Sequence, residues 1–138
     1  MSDFIKVEDS LIKTGLSYVK THEWINLNET PSTMGISDYA QKKLHDVVYV
    51  ELPKVGARVS RGAPLCALES VKAIAEAHSP VEGVVIQVNE LLNERPELIN
   101  KDPYGQGWLV RIEVLEKGEL LTPDEYSVLV QKLMASKR

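Results

Sequence analysis

Between Val47 and Val85 the chain is broken by Pro53, Gly56, Gly62, Pro64, Pro80 and Gly83. Successive breakers stand about one short strand plus a turn apart, the signature of an all-β sandwich or barrel. Val47-Val48-Tyr49-Val50-Glu51-Leu52 opens this region as a strong strand, rich in residues that suit a pleated surface. A short internal echo runs through it. Val55-Gly56-Ala57-Arg58-Val59 and Val81-Glu82-Gly83-Val84-Val85 each place a glycine between branched residues and lead into an alternating stretch. Two such halves can pair about a pseudo-twofold axis, leaving the segment between them as an exposed hairpin.

The flanks are mixed. Residues 1–14 read as a polar lead-in running up to Gly15, followed by a single domain over 15–138. Leu16 to Leu27 favours strand through Tyr18, Val19, Trp24, Ile25 and Leu27, and Asn28 to Ser32 reads as a turn. Ser37 is placed to cap a short helix from Asp38 to about Leu44. Leu91 to Asn100 predicts irregular helical turns, with Pro96 in a first turn, and Asp102-Pro103-Tyr104-Gly105 predicts a tight turn. Trp108 to Val114 alternates as a closing strand, and Trp108 is expected in the core. A C-terminal helix is expected over 122–136, with Thr122 as N-cap, Pro123 in the first position and Glu125 completing a capping box. Tyr126, Leu129, Val130, Leu133 and Met134 fall on one face of it, which is expected to dock on the sheet.

Composition narrows the function classes. Sixteen Lys and Arg against 20 Asp and Glu give a net charge of -4. Nucleic acid demands a clustered basic surface, and an anionic membrane demands a polybasic segment; neither is present. Met1-Ser2-Asp3-Phe4-Ile5-Lys6 has no basic stretch leading into an apolar one, so no export is expected and the cytoplasm is the default address. The single cysteine, Cys66, lies in an apolar run and is expected as a buried filler, without a disulfide or a metal-binding role. His22, His45 and His78 are scattered with no metal-ligand spacing, and neither a phosphate loop nor a nucleophile elbow appears. No catalytic residue and no metal site is expected.

Lys72 stands apart. It lies between the strand-like runs Leu65 to Leu68 and Ala73 to Ala77, near the middle of the segment joining the echoed halves. Val71 and Ala73 flank it where an ordinary turn carries Asn, Gly or Asp. An exposed tip with apolar flanks is one that another protein reads.

Glu69-Ser70-Val71-Lys72-Ala73 resembles the lipoylation motif of the glycine cleavage system H proteins. Further segments resemble that family in the family's order: His22-Glu23-Trp24, Gly35 to Gln41, Val50 to Pro53, Ser79 to Gly83, and Asp102 to Trp108. The likeness covers about residues 15 to 130. It implies a mainly β barrel-sandwich hybrid of the lipoyl/biotinyl type, with short helices and a C-terminal helix. It implies lipoic acid joined as an amide to Lys72, with Glu69, Ser70, Val71 and Ala73 as the recognised hairpin. The implied partners are a pyridoxal-phosphate glycine decarboxylase, a folate-dependent aminomethyltransferase, dihydrolipoyl dehydrogenase, and a lipoate ligase or lipoyl/octanoyl transferase. The protein would be a monomeric carrier of the aminomethyl group of glycine, not an enzyme. The family further places Glu23, and Glu76 four residues after the lysine, where they shelter the loaded arm; Glu76 stands where Asp is commoner. Trp24 is expected in core packing.

Two departures stand beside the arm: Thr30 to Met34 replaces a segment that is usually a β-branched strand, and His45 occupies a place where Gly is expected. An H-like lipoyl carrier for sulfur oxidation or lipoyl relay needs the same hairpin and is the alternative. A biotinyl carrier usually shows Met on both sides of its lysine, which Val71 and Ala73 speak against. An unmodified structural domain predicts that Lys72 can be changed without consequence.

Overall fold

The structure, a computed structural model, describes residues 3–137. The breaker cadence becomes eleven strands among the described residues: β1 (Phe4–Val7), β2 (Ser10–Lys13), β3 (Ser17–Tyr18), β4 (Glu23–Asn26), β5 (Ser32–Ile36), β6 (Val47–Glu51), β7 (Arg58–Val59), β8 (Pro64–Ser70), β9 (Ile74–His78), β10 (Glu82–Val88) and β11 (Val110–Glu116). Three helices join them, α1 (Asp38–Leu44), α2 (Leu98–Lys101) and α3 (Pro123–Ala135), with a 3-10 turn at Glu90–Asn93. A six-stranded sheet, ordered β3-β4-β5-β11-β10-β7, and a three-stranded sheet, ordered β6-β8-β9, supply the main core together. Ile25, Met34, Val85 and Ile112 from the first meet Val50, Leu68 and Ala77 from the second.

The echoed segments do pair, β7 running antiparallel to β10 with Val59 opposite Gly83 and Arg58 opposite Val84. Their glycines serve different ends, however. Gly56 turns the chain at φ +93°, whereas Gly83 sits so close to β11 that a Cβ would lie 2.4 Å from the Glu113 carbonyl oxygen. The segment between the halves contains the β8–β9 hairpin.

Several expectations are corrected. The lead-in, whose first two residues lie outside the described ones, contains the β1–β2 hairpin. Val7 and Ile12 bury their side chains in a second core with Leu16, Tyr18, Trp24, Tyr39, Tyr126 and Val130. Helix α3 therefore packs chiefly on this hairpin and β3, with the rings of Tyr18 and Tyr126 stacked 4.5 Å apart. The strand expected over Leu16 to Leu27 is divided, because the backbone turns at Val19 to His22 and His22 adopts φ 78°. Beyond the expected turn lies β5, all five of its residues buried between β4 and β11. Trp108 is only half-buried, with the Arg111 guanidinium 4.5 Å over its ring. Trp24 is buried as expected, its Nε1 donating to the carbonyls of Ile36 and Pro103 at 3.1 Å each.

Candidate functional site

In the β8–β9 hairpin Glu69 faces Ile74, Leu68 faces Ala75, and Ala67 faces Glu76. Its tip, Val71-Lys72-Ala73, lacks the usual turn residues because Ser70 does their work. The buried Ser70 hydroxyl accepts the N–H groups of Lys72 (3.1 Å) and Ala73 (3.0 Å) and donates to the Ala73 carbonyl (3.1 Å). The Ser70 N–H also donates to the Ala73 carbonyl (2.8 Å), and the Val71 N–H donates to the Asp46 carbonyl (3.0 Å). The tip is thereby anchored to the α1–β6 connection as well as to its own strands. That connection passes through His45, held at φ 65°, which is where a glycine is expected.

Lys72 projects from this turn, exposed, with no ion pair to another side chain among the described residues. Val71 and Ile74 beside it are 69% and 73% exposed. Across the sheet Tyr49, Glu69 and Ile74 form one row in register, so an apolar and acidic surface leads up to the lysine.

Along the flank of the hairpin runs a cleft of about 270 Å³, walled by Leu68 and Ala75, by Ile36, and by Ala40, Lys43 and Leu44 of α1. Thr21, His22 and Glu23 line it from the β3–β4 side, and Glu76 from β9. Glu76 is exposed, whereas Glu23 is only 1% exposed. The Glu23 carboxylate accepts the Thr21 hydroxyl on Oε1 and the His78 backbone N–H on Oε2 (2.8 Å). Burial pushes its carboxyl above the ordinary range, and the hydrogen bonds from Thr21 and His78 pull the other way. Since β4 belongs to the six-stranded sheet and β9 to the three-stranded one, this acid also links the two sheets.

The structure thus gathers Glu69, Ser70, Val71, Lys72 and Ala73 on one rigid tip, and Glu23 with Glu76 on one cleft. Thr21 and Lys43 line the same cleft, and His78 reaches Glu23 from the end of β9. Separation along the chain hid His78, which reaches Glu23 across 55 residues. Cys66 is buried with its thiol pushed up to about 12, first by burial and then by the charge of Glu23, so it is held as an inert thiol. Among the described residues no helix is long and apolar enough to cross a membrane, and no group of three or more His, Cys, Asp or Glu side chains is placed to hold a metal.

The family model for the glycine cleavage H-protein matches residues 16–133. The chain is 49% identical to the glycine cleavage system H protein of Rubrobacter xylanophilus, over 84% of its own length and 92% of that protein's. It is 50% identical to the corresponding protein of Thermotoga maritima, over 75% and 83% of the two chains. It is 47% identical to glycine cleavage system H protein 2, mitochondrial, of Arabidopsis thaliana, over 86% and 78%. The crystal structure of the glycine cleavage system H protein from Mycobacterium marinum superposes with a TM-score of 0.80 at 37% identity, covering 85% of this chain and 97% of that one. The two facing sheets are therefore the barrel-sandwich type of that neighbour. Fold, tip and sequence likeness converge: the chain belongs to the glycine cleavage H-protein family, the lipoyl carriers of the glycine cleavage system.

Proposed function

We propose that Lys72 carries lipoic acid as an amide, and that the protein is a non-catalytic carrier working between the glycine decarboxylase and the aminomethyltransferase. The observation that carries this reading is the Lys72 amine standing clear of the domain on a turn that Ser70 and Asp46 hold rigid. A tether attached to a rigid base keeps its cargo at high local concentration near each partner site. The residues present fit the group. An exposed amine offers the nucleophile for amide formation, and the adjacent cleft joins apolar walls at Leu68, Ala75 and Ile36 to an acidic side at Glu23 and Glu76. When bound, the lipoyl group supplies a dithiol–disulfide pair whose sulfur accepts and releases the aminomethyl group.

The chain's own contribution is presentation and shelter. Val71 and Ile74 offer apolar contact, and Glu69 and Tyr49 extend that surface across the sheet. Glu76 sets a negative charge at the rim of the cleft, and Glu23 sets one at its floor, both suited to a cationic cargo. Dihydrolipoyl dehydrogenase and the lipoate ligase or transferase read the same tip, and the carrier acts as a monomer.

Reconstitution with a decarboxylase and an aminomethyltransferase of the glycine cleavage system tests the reading. The lipoylated protein is expected to support transfer of the glycine methylene carbon to tetrahydrofolate, and the Lys72→Arg protein none. Equal transfer by both would reject Lys72 as the attachment point.

A further inference from the structure

His78 ends β9 and has no part in the carrier reading, yet it approaches Glu23 twice. Its backbone N–H lies on the free side of β9, the edge strand of the three-stranded sheet, and ends on Glu23 Oε2 at 2.8 Å. Its imidazole Nδ1 lies 3.5 Å from the same oxygen. That nitrogen is buried and has no hydrogen-bond partner within bonding range. The other carboxylate oxygen is already engaged by Thr21. In a buried site two lone pairs cannot face each other at this separation without repulsion, so one proton belongs between Oε2 and Nδ1.

We propose that His78 is a positioning residue for Glu23: its imidazole shares a proton with the carboxylate, keeps the buried acid anionic, and so sets the charge at the floor of the cleft. The functional half of this inference rests on the cleft serving as shelter for the cationic cargo. Other charges act on Glu23 from every side. Lys43 of α1 and Glu76 of β9 line the same cleft, as does His22 next to it in the chain. Cys66 of β8 and Tyr126 of α3 both feel its charge, which pushes each of them up. Of these groups His78 alone is placed to pair directly with a Glu23 oxygen. Burial of the acid opposes ionisation, and both the N–H and the imidazole of His78 work against that effect.

The test follows the Glu23 carboxyl carbon by carbon-13 NMR during a pH titration of the unmodified full-length protein. In His78→Leu the Glu23 midpoint is expected to move upward. In His78→Asn, whose amide nitrogen stands near the place of Nδ1, it is expected to return toward the wild-type value. If the leucine protein does not fold, His78→Gln replaces it, with the same upward movement expected. A midpoint that stays at the wild-type value in all folded variants overturns the pairing and leaves the shelter reading untouched. In the lipoylated protein, His78→Leu is expected to shorten the lifetime of the aminomethyl cargo several-fold at neutral pH, as Glu23→Gln does. A midpoint that moves while the cargo lifetime stays unchanged in both variants establishes the pair and overturns the shelter reading.

Discussion

His45 ends helix α1 at φ 65° and ψ -159°, a backbone region that glycine occupies freely and a β-carbon resists. The conformation is imposed by what surrounds it. The His45 N–H must still reach the Gln41 carbonyl (3.0 Å), its carbonyl must meet the Asn100 side chain (2.8 Å), and the next residue must offer its carbonyl to Val71. Every one of those contacts is made by the backbone of His45 or Asp46, so none needs the imidazole. His45→Gly is therefore expected to stabilise the protein by about 1 kcal/mol, the relief of strain exceeding the entropy a glycine adds to the unfolded chain. Urea denaturation checks it, and a loss of stability would show that the imidazole makes a contact worth more than the strain. The departure noticed in the sequence is thus a local strain that leaves the route of the chain beside the tip intact.

At the scale of elements, the β8–β9 hairpin depends on one hydroxyl. Ser70→Ala removes an acceptor of two N–H groups and one donor, while the strands keep their ladder. The expected cost is about 1–2 kcal/mol in chemical denaturation, with faster hydrogen exchange at the Lys72 and Ala73 amides and slower lipoylation. Unchanged exchange at those amides would show that the anchor from Val71 to Asp46 suffices. This hairpin was legible in the sequence because two strand-like runs flank an apolar tip and Gly and Pro breakers bound them. Helix α3 was legible for another reason: the capping box is local, with Thr122 and Glu125 bonding each other's N–H groups at 3.1 and 2.9 Å. Strand β5 was not. Ser-Thr-Met-Gly-Ile shows no alternation, because a central strand buried on both faces needs none. The β1–β2 hairpin was hidden too, since only Val7, Ser10 and Ile12 of its eight strand residues are buried. Of the site, the tip was written in one pentad, whereas Glu23 gained its partners only when two sheets met.

At the scale of the whole molecule, acid stability turns on a histidine outside the tip. His22 is packed against Tyr39 and Tyr126, its Nδ1 2.8 Å from the Tyr126 hydroxyl. Burial first, and the charge of Lys43 second, lower its pKa to about 4. Between the unfolded value near 6.5 and the folded one, the unfolded chain takes up a proton that the folded protein refuses, so stability falls as pH falls. From pH 7 to pH 5 this site is expected to remove about 2 kcal/mol. Glu23 runs the opposite way: its raised folded pKa contributes stability on the acid side that is lost as pH rises through that value. Urea denaturation at the two pH values, compared between wild type and His22→Gln, isolates the histidine. The variant is expected to lose less stability on acidification, and equal losses would remove His22 from the account.

The proposed role rests on a single amine, that of Lys72. Intact mass of the protein, made in a host able to attach lipoate and followed by peptide mapping, tests that role most directly. One lipoyl increment is expected, placed on Lys72 and abolished by Lys72→Ala. A biotinyl increment, a lipoyl group on another lysine, or no increment with the attaching enzyme present would contradict it.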